Sequence, residues 1–415
     1  MNYLKFSEGR FFQMNRNFII LYGAMGLSLV LGVFLNIFLS NYLNPEDFGK
    51  MSFIRVLFGF LQIIFSFGLF HSISRGIALN DSNTARKKTF WSANIRVSIV
   101  LGLIVFITLF IYSFFHDHIF HNEMNHLIRI ISPLGLLIPA RSMVEISFEG
   151  EKNKILLSLS RILPKFLIVT GTVIITKVFT INIVSIYLIE AISIVLTLIL
   201  LFKLMKISPF ENNLITKKHI ILNWKNSGLK IYYSILFGSI SMYMLNFTIS
   251  YYLDGESYGL FMFATNISTP LNMIPLVFSS LFFRDFVKKE SIDKRSFNSM
   301  FFVSVIAFLI FLIFIFLFFD EFFNLKYHSS QSLIYLLGGQ CLLHGIADFY
   351  NKILVAKGKG NQVLRISYML FITNTLSIFL VPYFSTRGAI FAKYFVTLTY
   401  LLFSVLAVNK LSQNK

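Results

Sequence analysis

The sequence predicts an all-α polytopic membrane protein, with twelve transmembrane helices in two parallel-repeat six-helix bundles around a central cavity. Three observations lead there. First, 56% of the 415 residues are hydrophobic and 13% are charged, with a mean hydropathy of +0.71; soluble domains carry about a quarter charged residues. Second, Lys and Arg alternate between successive loops. Third, an eight-residue turn occurs twice, 210 residues apart. Fifty Phe and 18 Tyr against 8 Pro exclude a disordered or collagen-like chain. The lone Cys341 excludes an intrachain disulfide and a cysteine-based metal site.

A spanning helix needs about 20 mainly apolar residues. Such runs lie at 17–40, 51–79, 91–115, 127–148, 154–176, 182–203, 231–253, 259–286, 298–319, 331–354, 362–382 and 387–409. The first is too long for a signal-peptide core and no small-residue cleavage site follows it, so it reads as a retained helix. With the N-terminus in the cytoplasm, inner segments hold 25 Lys and Arg; outer segments hold 4, namely Lys50, Lys177, Lys326 and Arg387. That bias sets the orientation, puts both termini in the cytoplasm and supports an even span count. It also accounts for the net charge of +18 without nucleic acid. The outer loops are short, the longest near 116–126 and 320–330, so no external domain fits. No G-x-x-x-x-G-K-[ST] motif appears, and nothing calls for a cofactor.

The turn Tyr42-Leu43-Asn44-Pro45-Glu46-Asp47-Phe48-Gly49 is echoed by Tyr252-Leu253-Asp254-Gly255-Glu256-Ser257-Tyr258-Gly259, and Phe53 matches Phe263 at the same offset. Gly150-Glu151-Lys152-Asn153 is echoed by Gly358-Lys359-Gly360-Asn361 at 208, and Lys203-Leu204 by Lys410-Leu411 at 207. Three ordered echoes at nearly constant offset imply two homologous six-helix lobes, 1–203 and 231–415. Six is even, so both insert the same way up. The cytoplasmic linker 204–230 carries Pro209 and a surface helix near 220–229. In the turns, Asn44-Pro45 and Asp254-Gly255 are turn starters. Glu46 and Glu256 suit a helix N-terminus, and Gly49 and Gly259 permit close helix approach.

Twelve helices in two like-oriented halves, with a Y-L-x-P-E-x-[FY]-G turn after helix one and G-x-x-N turns after helices four and ten, resemble the polysaccharide flippases. These are the Wzx-type O-antigen translocases of the MATE/MurJ-like exporter superfamily. The resemblance implies no enzyme activity. It implies passage of an undecaprenyl-diphosphate-linked oligosaccharide repeat unit across the inner membrane, for O-antigen (lipopolysaccharide) or other surface polysaccharide synthesis, by two lobes rocking around a central cationic cavity. The partners it implies are the polyprenyl-diphosphate-linked oligosaccharide, membrane lipid, a polysaccharide polymerase and a chain-length regulator.

Charge within a span costs about 2.5–3.5 kcal/mol on insertion scales, which makes it a functional candidate. The basic set is Arg55, Arg96, Arg129, Arg141, Arg161, Lys165, Arg365 and Lys393; the acidic set is Glu145, Glu190 and Asp348. Arg96, Arg129 and Arg365 lie close enough to a span end to snorkel, and Arg55 reads as a borderline case near the outer end of helix two. Arg161 and Lys165 stand four residues apart on one face of helix five, with Pro164 between them to free a carbonyl or kink the helix. Lys165 falls about 16 Å from the inner end. Arg141 and Glu145 share a face of helix four, which Pro133 and Pro139 interrupt; an internal salt bridge is the simpler reading of that pair. The expected substrate-binding cations are Arg141, Arg161, Lys165 and Lys393, with Arg55 beside them. The expected coupling or ion-pair residues are Glu145, Glu190, His344 and Asp348. His344 and Asp348 stand four apart on helix ten, placed to relay a proton or to bond each other. His116, His118, His121 and His126 share one outer loop, but at a spacing too loose for a zinc site. Asp117, Asp320 and Glu321 read as solvated loop charges.

The nearest rival function is a drug or cation antiporter of the same fold, which calls for an acid in helix one or seven; neither has one. A polysaccharide polymerase calls for a large, arginine-bearing outer loop. A plain scaffold leaves the deep charges unexplained.

Overall fold

The computed structural model describes residues 16–80, 84–120, 122–148, 151, 154–207, 214–282, 286 and 294–413. They are helical almost throughout, with no strand among them. The chain runs through α1 (Arg16–Ser40), α2 (Pro45–Ile64), α3 (Leu69–Leu79), α4 (Thr84–Tyr112), the short α5 (His116–Phe120), α6 (Asn125–Ile131), α7 (Leu137–Ser147), α8 (Lys154–Thr176) and α9 (Ile183–Met205). It continues through α10 (Leu214–Asn223), α11 (Leu229–Tyr252), α12 (Gly255–Ser268), α13 (Pro270–Leu281), α14 (Lys294–Phe322), α15 (Ser330–Ala356), α16 (Gly360–Ser377) and α17 (Leu380–Gln413).

Among the described residues, eight helices are long and apolar enough to cross a membrane, with Asn125–Ser147 and Gly255–Ser279 each counted as one. The pair α2–α3, bent by 62°, makes a ninth. The other three expected runs hold α1, α11 and α16, which do not meet that standard; Gly26–Ser40 of α1 forms a shorter apolar helix. The twelve runs are thus helical, but eight or nine of them qualify as spans by length and hydropathy.

Helix ends follow the local chemistry. Asn44 caps α2 by accepting from the Asp47 amide at 2.7 Å, with Pro45 in the first turn. Asp254 caps α12 in the same way, accepting from the Ser257 amide at 2.8 Å. These bonds outweigh its burial and hold the Asp254 carboxyl below the usual range. The two caps fall at matching positions of the two turn motifs. They start both helices earlier than hydropathy alone suggests: α2 begins at Pro45, not near 51. The α2–α3 break falls at Phe67 and Gly68, both with positive φ. In the fourth run, Pro133 opens a 3₁₀ stretch, Ser132–Leu136, between α6 and α7. Pro164 sits inside α8, which stays helical through it. Where a loop was expected at 382–387, α17 continues through a kink at Ser385 (φ 49°, ψ −130°), which brings Gly388 against the Leu380 carbonyl.

Helix pairing recurs in both halves. α1 packs on α8, α8 on α9 and α3 on α7; α11 packs on α16, α16 on α17 and α13 on α15. The two turn motifs meet each other. A Cβ on Gly49 would stand 2.7 Å from the Gly255 carbonyl oxygen and 3.1 Å from the Gly259 Cα, and one on Gly259 would overlap the Pro45 carbonyl. Both turns therefore lie at one end of the molecule, the motif end, with helix backbones in direct contact. Tyr327 strengthens the seam by donating to the Leu43 carbonyl at 3.1 Å.

The apolar packing divides along the same axis. One cluster at the motif end joins both halves, with Phe48, Met51 and Phe53 against Phe261, Phe263 and Tyr327. At the opposite end each half has its own cluster, built on Phe70, Trp91 and Phe148 in one and on Phe286, Phe349 and Ile353 in the other. The halves share a core where the motifs meet and separate toward the far end. One seam still ties them there: Trp224 donates to the Phe67 carbonyl at 2.7 Å and Tyr232 to the Ile64 carbonyl at 2.9 Å. Trp224 belongs to a single π-helical turn, Trp224–Gly228, close to the expected linker helix.

Candidate functional site

Two adjoining cavities open among α1, α2, α7, α8 and α9. The larger, about 410 Å³, is lined by Ser28, Arg141, Glu145, Arg161, Lys165 and Glu190, with Met273 reaching in from α13. The second, about 360 Å³, is lined by Asn36, Arg55, Gln62, Lys165, Glu190 and Asn266 of α12, among others. Arg141, Lys165, Ile168 and Glu190 line both and form their common wall.

Each charge has a structural cause for its place. Arg161 and Lys165 stand one turn apart on α8, and α1 packs along that face. Ser28 of α1 donates to the Arg161 carbonyl at 3.3 Å. Gly32 leaves room for the Lys165 ammonium, which would lie 3.9 Å from a Cβ there. Lys165 is eleven residues from each end of α8, about 16 Å by helical rise. Arg55 lies ten residues into α2, about 15 Å deep. Its place near a span end is corrected: the Asn44–Pro45 cap moves the helix start outward, and Arg55 faces the cavity, bonding to Asn36 Oδ1 at 3.5 Å. Arg141 is held between two carboxylates. Its Nε donates to Glu145 at 3.0 Å and a terminal N–H to Glu190 at 3.3 Å. Arg141 and Glu145 are each 42% exposed and both line the larger cavity.

Not every expected residue joins this wall. Lys393 lines neither cavity. It lies in the second half, donating to Thr265 Oγ1 at 3.2 Å and resting 4.9 Å from the Phe261 ring centre. Asp348 accepts from Tyr400 at 2.8 Å, and His344 lies beside the Tyr400 ring, so tyrosine takes the place expected of histidine. Arg129 behaves as a snorkelling residue: its guanidinium covers Phe114 at 4.1 Å, at the end of α4. Arg365 is exposed.

The outer-loop residues are structural. Asp117 is not a solvated charge; it accepts from the Met124 and Asn125 amides at 2.8 and 3.2 Å and secures the start of α6. His116 is buried between Tyr112 and Asn122, at 2.8 and 2.6 Å. Burial holds its imidazole below the usual histidine range, against the opposing pull of Asn122 and Asp117. His121 lies outside the described residues, as do Pro209 and, in the second echo, Gly150, Lys152 and Asn153. Among the described residues no three His, Cys, Asp or Glu side chains converge as a metal site. Glu151 is 3% exposed and bonds Trp91 at 2.8 Å and Lys87 at 2.6 Å, far from the cavity.

Sequence reasoning missed the amides of Asn36, Gln62 and Asn266. Their signal was present: each is an uncharged hydrogen-bonding residue within an apolar run.

A protein-family model described as "Polysaccharide biosynthesis protein" matches residues 14–283. The chain belongs to that family. It is the family of the Wzx-type flippases. Curated proteins offer no match to the chain. Among solved structures, the chain is similar to an inward-facing multidrug resistance MATE family transporter of the MOP superfamily, with 17% identity, a TM-score of 0.68 and coverage of 93% of this chain and 95% of that one. An outward-facing counterpart gives 16% identity and a TM-score of 0.59 over 96% and 97% of the two chains. A MOP superfamily transporter from Pyrococcus furiosus, described as having a binding pocket of reverse polarity, gives 16% identity and a TM-score of 0.57 over 95% and 96%. These likenesses establish a MATE-like fold for this family member.

Proposed function

We propose that the protein flips an undecaprenyl-diphosphate-linked oligosaccharide across the cytoplasmic membrane for surface polysaccharide synthesis. The observation that carries the reading is the cavity wall. Arg55, Arg141, Arg161 and Lys165 outnumber Glu145 and Glu190, which leaves a net positive, cavity-facing surface deep in an apolar bundle. A lipid diphosphate must shed water and counterions to leave the headgroup region. Fixed guanidinium and ammonium groups replace them, and arginine adds forked donors that match phosphate oxygens. Asn36, Gln62 and Asn266 offer sugar hydroxyls both donors and acceptors. A drug or cation antiporter would need the opposite polarity.

The transport cycle is alternating access of twelve spans in two lobes, 1–203 and 231–415, joined by the linker 204–230. Both termini face the cytoplasm and the motif end faces outward. Cores that are separate at the inner end and joined at the outer end correspond to the loading state. Substrate enters from the inner leaflet, and rocking then parts the motif end. Lys393, His344 and Asp348 belong to the second lobe's side of this cycle. A polysaccharide polymerase and a chain-length regulator act downstream. The test is a deletion strain complemented with wild type or with an Arg161→Ala, Lys165→Ala double variant. The wild type restores surface polysaccharide, and the variant leaves lipid-linked repeat units on the cytoplasmic face at normal protein level. Full export by the variant would sink the reading.

A further inference from the structure

The strap that joins the halves carries a basic and apolar face that transport through the cavity leaves unused. Helix α10, the π-helical turn Trp224–Gly228 and α11 follow one another without a break from Leu214 to Tyr252. The start of this stretch leans on the first half. Thr216 is buried and shares a hydrogen bond with the Thr89 hydroxyl of α4 at 2.8 Å. Ile220 is buried with Phe70, Trp91 and Leu201. Trp224 donates to the Phe67 carbonyl. Thr216, Ile220 and Trp224 stand four apart and mark one face of the helix. The neighbouring stripes face away from it. Lys217 and Ile221 form one and Lys218 and Leu222 the other; all four are exposed, the two apolar side chains at 52% and 56%. Lys225, also exposed, follows them. Residues 214–228 contain no acid, and across 203–230 six lysines stand against Glu211 alone.

We propose that this face binds anionic phospholipids, with Lys217, Lys218 and Lys225 on the headgroup phosphates and Ile221 and Leu222 among the acyl chains beneath. The packing sets the depth. Ile220 shares its cluster with Leu201, one turn from the end of α9, and with Trp91, two turns into α4, so α10 lies at the end of the spanning bundle and not clear of it. Exposed isoleucine and leucine at that level, flanked by lysines long enough to reach water, have the composition of a helix at the lipid–water boundary. The charge sets the lipid. A zwitterionic headgroup brings its own ammonium beside the phosphate, whereas an anionic one leaves the phosphate charge to the lysines. One lysine at an anionic surface gives about a fivefold preference. The site is independent of what the cavity carries. Because α10 is held to the first half and runs unbroken into the second, the bound lipid sits on the segment that connects them.

The experiment uses the two tryptophans of the chain. Trp91 is buried in the first half, whereas Trp224 adjoins Lys225 and reports on the strap. The full chain is placed in phosphatidylcholine nanodiscs, and part of the lipid is replaced by acyl-brominated phosphatidylglycerol or by acyl-brominated phosphatidylcholine. Quenching of tryptophan fluorescence then gives the relative occupancy of each lipid beside Trp224. The wild type should prefer phosphatidylglycerol at least about fivefold. A Lys217→Gln, Lys218→Gln, Lys225→Gln variant should be quenched alike by both. Equal quenching of the wild type by the two lipids would overturn the site, and that arm needs no variant. A preference undiminished in a folded triple variant would also overturn it. Quenching by neither lipid would overturn it too, and would give the face to solvent or to another protein.

Discussion

At the offset of the nearest echo, Arg55, Arg141, Arg161, Lys165 and Glu190 of the first half correspond to Thr265, Phe349, Met369, Thr373 and Thr397 of the second. The caps and glycines correspond with little change: Asn44 to Asp254, Gly49 to Gly259. The two halves pair their helices alike, yet one concentrates its charge around a cavity and the other does not. A cation within a span is tolerated where it faces a cavity, and the two cavities described above open mainly along α1, α2, α7, α8 and α9. The second half places its own polar groups, Lys393 and Asp348, at unrelated positions and satisfies them with Thr265 and Tyr400. Caps and glycines match between the halves; the charges that line the cavities come from the first half, and the second adds the uncharged Asn266 and Met273.

The sharpest way to break this contrast is to strip each half in turn. Removing both Arg161 and Lys165 forfeits two charge-assisted contacts of about 1.5–3 kcal/mol each. Export of lipid-linked repeat units, followed by surface polysaccharide labelling, should fall at least about 100-fold by that arithmetic. Arg161→Lys should keep part of the activity. Met369→Ala, the second-half counterpart of Arg161, should export at close to the wild-type level; an equal loss there would erase the asymmetry.

The motif end should respond alike from either side. Gly49→Leu and Gly259→Leu each force a side chain into opposing backbone and should cost about 1–3 kcal/mol, read as a lowered melting temperature in detergent. Gly23→Ala, where nothing lies within 4 Å, should leave the melting temperature unchanged or raise it. A smaller symmetric effect is expected at the caps. Asn44→Ala and Asp254→Ala should each cost about 1 kcal/mol, and a large difference between them would show that the repeat does not extend to capping. The smallest effect belongs to Arg365→Ala, which removes an exposed charge and should shift stability by less than about 0.5 kcal/mol.

Much of this was legible in the sequence. Hydropathy located the long helices, and the matching turn motifs announced two like caps, at Asn44 and Asp254. Periodicity put Arg161 and Lys165 on one face, and the four-residue spacing of Arg141 and Glu145 anticipated their bond. Three things were hidden. Hydropathy places a helix end where the apolar run stops, whereas the cap places it at Pro45; Arg55 was misjudged for that reason. The Glu190–Arg141 contact joins residues 49 apart, which no local pattern reveals. Lys393 looked equivalent to the cavity cations because sequence shows depth but not which face of α17 meets α12.

The contact between Gly49 and Gly259 has a kinetic meaning as well as a steric one. A seal made of interlocking side chains must re-sort its rotamers each time it closes, and each long side chain that is fixed carries an entropic cost. Here backbone rests on backbone, and glycine has no rotamer to sort. If the halves rock as proposed, this glycine contact parts and re-forms with no rotamer of its own to lose, and any rotamer cost falls on the aromatic side chains packed around it, Phe48, Phe53, Phe261, Phe263 and Tyr327. The same plainness makes it unforgiving, since a single methyl group on either face holds the seam ajar.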